Sequence, residues 1–181
     1  MPDLRYGAIR VPWTTSWTGE LQFEIRDCPY AKARALWQPS AQGVGKPEFS
    51  KPHAVRQRQA MMECRCDICG KRLSASTKVS LSQESPRHIG RIGWALLATE
   101  PLMHTACAAE ALDACPVLRR QLRDGTLKGR QVFRYRTVAQ LLTADATEEF
   151  AHLREPGTVG HIKLQILDFE PMCVNWLERA A

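Results

Sequence analysis

The chain has 181 residues, 44% of them hydrophobic and 24% charged, with a net charge of +6. That length supports one real core with at most an appended subdomain, and the composition is that of a globular protein rather than a disordered or fibrous one. No apolar run approaches the roughly 18 residues needed to span a bilayer, and MPDLRYGAIRVPW lacks the basic-then-apolar order of an export signal. Seven cysteines without such a signal point to reduced thiols, metal binding and a cytoplasmic location rather than a disulfide framework.

The first stretch, residues 4–26, reads as strand. Leu21-Gln22-Phe23-Glu24-Ile25-Arg26 alternates apolar and polar, the period of a half-buried strand. Trp13 and Trp17 bracket a Thr-Thr-Ser turn and are expected to pack. From Cys28 to Pro52 the chain is broken by Pro29, Pro39, Gly43, Gly45 and Pro47, so an irregular connection is expected, with a short strand at Ala35-Leu36-Trp37. Pro52, followed by good helix formers through Met62, predicts a short helix. Arg56 and Arg58 on that helix are expected on a solvated basic face, or as phosphate contacts, because arginine forks suit phosphate oxygens.

The organising stretch is Cys66-Asp67-Ile68-Cys69-Gly70, followed by His104-Thr105-Ala106-Cys107. Each places two soft ligands two residues apart, and the glycine suits a tight turn that aims both sulfurs at one ion. The pairs predict a single structural Zn2+ held by Cys66, Cys69, His104 and Cys107. Between them, Lys71 to Leu81 and Ile89 to Thr99 read as a returning pair of strands. Cys107 lies in the first turn of an alanine-rich helix, where the positive end of the helix dipole favours thiolate. Knuckle, hairpin, then ligand-bearing helix is a treble-clef-like order. Cys64, two residues before Cys66, is an alternative ligand, while Cys28, Cys115 and Cys173 read as core.

Beyond the helix, Arg119, Arg120, Arg123, Lys128, Arg130, Arg134 and Arg136 form a dense run of cations. Gln131 to Val138 alternates as a strand, with Arg134 and Arg136 on one face and Phe133 and Tyr135 on the other. Interleaved arginines and aromatics suit a nucleic-acid groove. They suit equally a strand edge protected by charge. Past Thr137 acids outnumber bases. A helix over 143–155, a strand from His161 to Leu167 and a terminal helix from Met172 to Arg179 complete the expected elements.

The segment from Ala35 to Arg120 resembles a family of uncharacterised proteins from actinobacteria and their phages. The residues that carry this are Leu36-Trp37, Gly45-Lys46-Pro47-Glu48-Phe49, His53, Arg56-Gln57-Arg58-Gln59-Ala60-Met61, Cys66-Asp67-Ile68-Cys69-Gly70, Cys107 and Cys115-Pro116-Val117-Leu118-Arg119-Arg120. The resemblance implies a zinc-binding module, with His104 standing where the family pattern has a third cysteine, and implies a phage or prophage source.

The sequence therefore predicts an α+β protein. A treble-clef-like zinc module over 51–124 sits in a small mixed sheet with peripheral helices, between N-terminal strands and linker (1–50) and a C-terminal strand and helix extension with an acidic tail (125–181). The expected function is a non-enzymatic module binding nucleic acid or a nucleic-acid-handling protein, with Arg56, Arg58, Arg130, Arg134 and Arg136 as contacts and no membrane partner. The alternative is a protein-interaction regulator of a host or recombination enzyme. A nuclease of the His-Asn-His type, with His88 as general base, fits less well, since no Asn and His follow at suitable spacing.

Overall fold

A computed structural model describes residues 4–142, 153 and 155–174. In chain order, strands β1 (Arg5–Tyr6), β2 (Ile9–Arg10), β3 (Thr15–Trp17), β4 (Glu24–Cys28), β5 (Ala33–Trp37) and β6 (Pro47–Pro52) precede helix α1 (Ala54–Glu63). Strands β7 (Val79–Ser82), β8 (Arg87–His88) and β9 (Trp94–Ala98) lead to helices α2 (Thr105–Ala114) and α3 (Pro116–Arg123). Two long strands, β10 (Lys128–Leu141) and β11 (Val159–Met172), follow. The fold is thus mixed α+β, as composition and periodicity predict. The helices expected over 143–155 and 172–179 fall almost wholly outside the described residues.

The antiparallel pair β10–β11 is the spine, in register from Gly129↔Met172 to Leu141↔Val159. β7 adds to the free edge of β10, and β5 and β9 add to the free edge of β11, so all three expected regions contribute strands to one sheet. Here the structure departs from the sequence reading. The stretches 71–81 and 89–99 do not pair with each other. β7 pairs with β10, while β9 pairs with β11 and with the short β8. A bridge between Val79 and Met103 then ties the outer edge of β7 to the segment just past β9, so the sheet curls back on itself.

Helix α1 explains how the free edge of β11 is completed. β5 pairs with β11 at Val159 and β9 from Leu164 onward, leaving the backbone between them without a strand partner. Gln57 fills that gap: its Nε2 donates to Ile162 O at 2.6 Å and its Oε1 accepts from Ile162 N at 3.2 Å. Arg58 donates to Gly160 O at 2.7 Å and to Leu36 O. Buried backbone groups must find partners, and here side chains replace a missing strand.

Arg56 and Arg58 are therefore not on a solvated face, and the reading of them as phosphate contacts is corrected. Arg56 is buried against Glu20, its two terminal nitrogens each 2.7 Å from a carboxylate oxygen, with a further bond to Thr15 O at 2.8 Å. Arg58 is fully buried. The helix begins just past Pro52, as expected, and His53 caps it: its Nδ1 accepts from Arg56 N at 3.2 Å while Nε2–H donates to Pro39 O at 3.0 Å. Trp17 is buried, as packing predicts.

Two apolar clusters flank the sheet. One joins Met61 of α1 to Leu96, Leu102, Val132, Ile162, Leu164 and Ile166. The other joins Ile68, Val79, Leu81, Met103 and Leu127 to Ala108 and Leu112 of α2, and includes Cys66 and Cys107. Burying each such leucine or isoleucine side chain contributes about 1.5–3 kcal/mol. The second cluster presses α2 against the turn that bears Cys66 and Cys69, which sets up the metal centre.

Candidate metal centre

Cys66 N–H donates to Lys71 O at 2.8 Å and Gly70 N–H to Cys66 O at 2.9 Å, closing a tight knuckle. Gly70 takes φ +68°, which a glycine adopts without a Cβ clash. The knuckle is gripped from both sides. Trp13 N–H reaches Ile68 O at 3.0 Å, and Asp67 N–H reaches Leu102 O at 3.0 Å. Leu102 leads directly into His104, so the same hydrogen bond that braces the first ligand pair positions the second. His104 is the N-cap of α2 and Cys107 lies three residues further on, placing both on one face of its first turn.

The four ligand atoms of Cys66, Cys69, His104 and Cys107 lie within 4.8 Å of one another and could hold a metal ion. A tetrahedral zinc with bonds of about 2.3 Å to sulfur and about 2.0 Å to nitrogen would separate a sulfur from the nitrogen by about 3.5 Å. His104 Nδ1 stands 3.4 Å from Cys69 Sγ and 3.9 Å from Cys107 Sγ. Both distances are close to that separation, so the imidazole stands where a shared ion would need it. Nδ1 faces the sulfurs because Nε2–H donates to Arg72 O at 3.1 Å. A backbone acceptor on the far ring nitrogen fixes the tautomer that a ligating imidazole needs.

The thiols show why the cluster suits a cation. A hydrogen bond from the Cys107 thiol, with backbone N–H groups of Cys69, His104 and Ile68, pulls Cys66 down to about 4 despite burial. The same hydrogen bond to Cys66, together with burial and the Cys66 charge, pushes Cys107 up. Burial and that charge also push Cys69 up. Three sulfurs this close cannot all ionise alone, whereas a bound dication would offset the accumulated negative charge.

Cys64 is not part of the cluster. It caps α1 in the left-handed conformation, φ +52°, and lies against Tyr135. Cys28 is buried as expected, but Cys173 is exposed and Cys115 is half-buried at the α2–α3 junction, so neither is a core thiol. His88 is exposed on β8 with its ring against Trp94.

Of the remaining expected contacts, Arg130 is buried, donating to Ser82 Oγ at 3.1 Å and Glu84 O at 2.5 Å, so it is corrected to a structural role like Arg56 and Arg58. Arg134 and Arg136 are exposed on β10, and Arg136 donates to Gln165 Oε1. A bulge between Val132 and Tyr135 interrupts the simple alternation and leaves Phe133 partly exposed. Arg119, Arg120 and Arg123 of α3 are exposed without an ion-pair partner among the described residues. The cation run in the sequence contained them, but only the packing of Leu118 and Leu122 against the metal-side cluster shows which way the helix faces. No family model matches the chain, and no curated protein or solved structure matches it.

Proposed function

We propose that the chain is a non-enzymatic, zinc-stabilised module, treble-clef-like in its order of knuckle, β8–β9 hairpin and α2, that binds nucleic acid or a nucleic-acid-handling protein. The observation that carries this reading is the gathering of four soft ligand atoms within 4.8 Å of one another. Zinc bound by four side chains has no open position for water, so its role is to hold the knuckle to α2. Three thiolates and one imidazole favour zinc over the hard cations, which prefer oxygen. A reducing cytoplasmic setting agrees with cysteines that are all free, and a phage or prophage source rests on the sequence resemblance alone.

Support for nucleic acid comes from the exposed arginines Arg119, Arg120 and Arg123, one turn beyond the metal-bearing helix, with Arg134 and Arg136 on β10. The test is the salt dependence of binding to labelled DNA and RNA oligonucleotides. Each phosphate contact releases counterions, so the triple variant R119Q/R120Q/R123Q should flatten the log–log salt slope by about 2–3. A wild-type affinity indifferent to salt would refute this reading.

A further inference from the structure

The hairpin β8–β9 carries the most exposed large hydrophobic side chain among the described residues: Trp94, at 69% exposure. Its cross-strand neighbour is His88, in register on β8. The His88 ring stands nearly perpendicular to the indole, at 82° with centroids 6.0 Å apart, so the histidine does not lie flat over it. The turn between them, Gly90-Arg91-Ile92, closes through Ile89 N–H to Gly93 O at 2.8 Å and Gly93 takes φ +83°. From Arg87 to Ala98 the hairpin contains no acid, while Arg87 and Arg91 are both exposed and have no ion-pair partner among the described residues. Lys128 adds a third cation at its base, donating to Ser85 Oγ at 2.6 Å.

An indole left in water costs roughly 1.5–3 kcal/mol of forgone burial, so its exposure at the rim of a sheet needs a reason. Isolated exposed aromatics occur, but this one opens β9 just past a closed turn, on a hairpin that carries two exposed arginines and no acid. Aromatic faces flanked by cations are what single-stranded nucleic acid uses: bases stack on the ring and the backbone phosphates meet the arginines. A duplex hides its bases in the stack and offers the indole nothing comparable. A protein partner would more commonly meet a broader apolar surface, and on this hairpin only the indole is mostly exposed: Ile89, Ile92 and Leu97 are half-buried, and Ala95 and Leu96 are buried.

We infer that the β8–β9 hairpin is a single-strand binding surface, with Trp94 as the stacking platform and Arg87 and Arg91 as phosphate contacts. This rests on the nucleic-acid reading above and specifies the form of nucleic acid. The experiment measures binding of fluorescein-labelled oligo(dT) and of a mixed-sequence duplex of equal length by anisotropy. It uses the full zinc-loaded chain, its W94A and W94F variants, and R87Q/R91Q. Stacking worth about 1–3 kcal/mol predicts that W94A weakens single-strand binding by about 5–150-fold. Duplex binding should change far less, W94F should retain most of the affinity, and R87Q/R91Q should reduce the salt slope by about 1–2. Unchanged melting of W94A, expected for so exposed a side chain, confirms that the fold is intact. If the wild type binds oligo(dT) and W94A binds it equally well, the platform is overturned while nucleic-acid binding stands. Equal losses on strand and duplex would likewise overturn it. If neither oligonucleotide binds the wild type, both readings fall, and Trp94 is left as a contact for a protein.

Discussion

Replacing Glu20 by Gln should be among the most damaging single changes in the chain, though it alters one atom. Glu20 is fully buried, and both of its oxygens lie 2.7 Å from the terminal nitrogens of Arg56, itself only 5% exposed. Burial opposes its ionisation, but the Arg56 guanidinium and the N–H groups of Trp17 and Ala41 outweigh that and hold the carboxyl below the usual range. In Glu20→Gln the Arg56 charge stays buried without a counter-charge. An amide nitrogen also faces a donor where an oxygen accepted. Breaking a buried pair from one side costs about 3–5 kcal/mol. For a chain of this size that is a fall in Tm of roughly 6–20 °C. The assay is urea unfolding of the zinc-saturated protein, read as a shift of midpoint at constant slope. The double variant Glu20→Gln/Arg56→Met removes both charges and should recover most of the loss. If Glu20→Gln lies within about 1 kcal/mol of the wild type, the pair is not the tie between the N-terminal segment and α1 that its geometry implies.

Other consequences follow from α1. Burial and the neighbouring Arg56 push the His53 imidazole down to about 4. The unfolded chain therefore takes up the proton first, and stability present above pH 6.5 is lost as pH falls toward 4, by up to about 3 kcal/mol. Comparing urea stability of the wild type and His53→Asn between pH 7 and pH 4.5 should show the gap narrowing on acidification, since asparagine caps without titrating; parallel curves would contradict it. Gln57→Ala strips Ile162 of its side-chain partners, which should cost about 1–3 kcal/mol. It should also raise hydrogen exchange at the Ile162 amide, read by NMR, above that of Leu164, whose strand partner is Ala98.

The ligand set was legible because coordination chemistry fixes spacing locally: two residues between donors, a glycine after the first pair, a helix start under the second. The arginines were not, because burial is decided by distant partners. Arg56 meets Glu20 across 36 residues and Arg58 meets Gly160 across 102. Nothing near either arginine in the sequence tells it from an exposed one. Strand pairing failed for the same reason. The alternation of Lys71 to Leu81 reads as a strand with one buried face, but only Val79–Ser82 forms one, with Val79, Ser80 and Leu81 all buried, and its partner, Lys128 to Gln131, lies some fifty residues on. Gly90 and Gly93 within the stretch 89–99 did hold the information that this run begins with a turn rather than a strand, and they would have located Trp94 at a hairpin between β8 and β9.

Native mass spectrometry of the full chain, purified without chelator and presented with zinc, tests the central claim most directly. The account predicts the mass of the chain plus one zinc, with that increment lost in Cys107→Ser. A wild-type chain that appears metal-free in excess zinc, or a Cys107→Ser chain that keeps the ion as tightly, would contradict it.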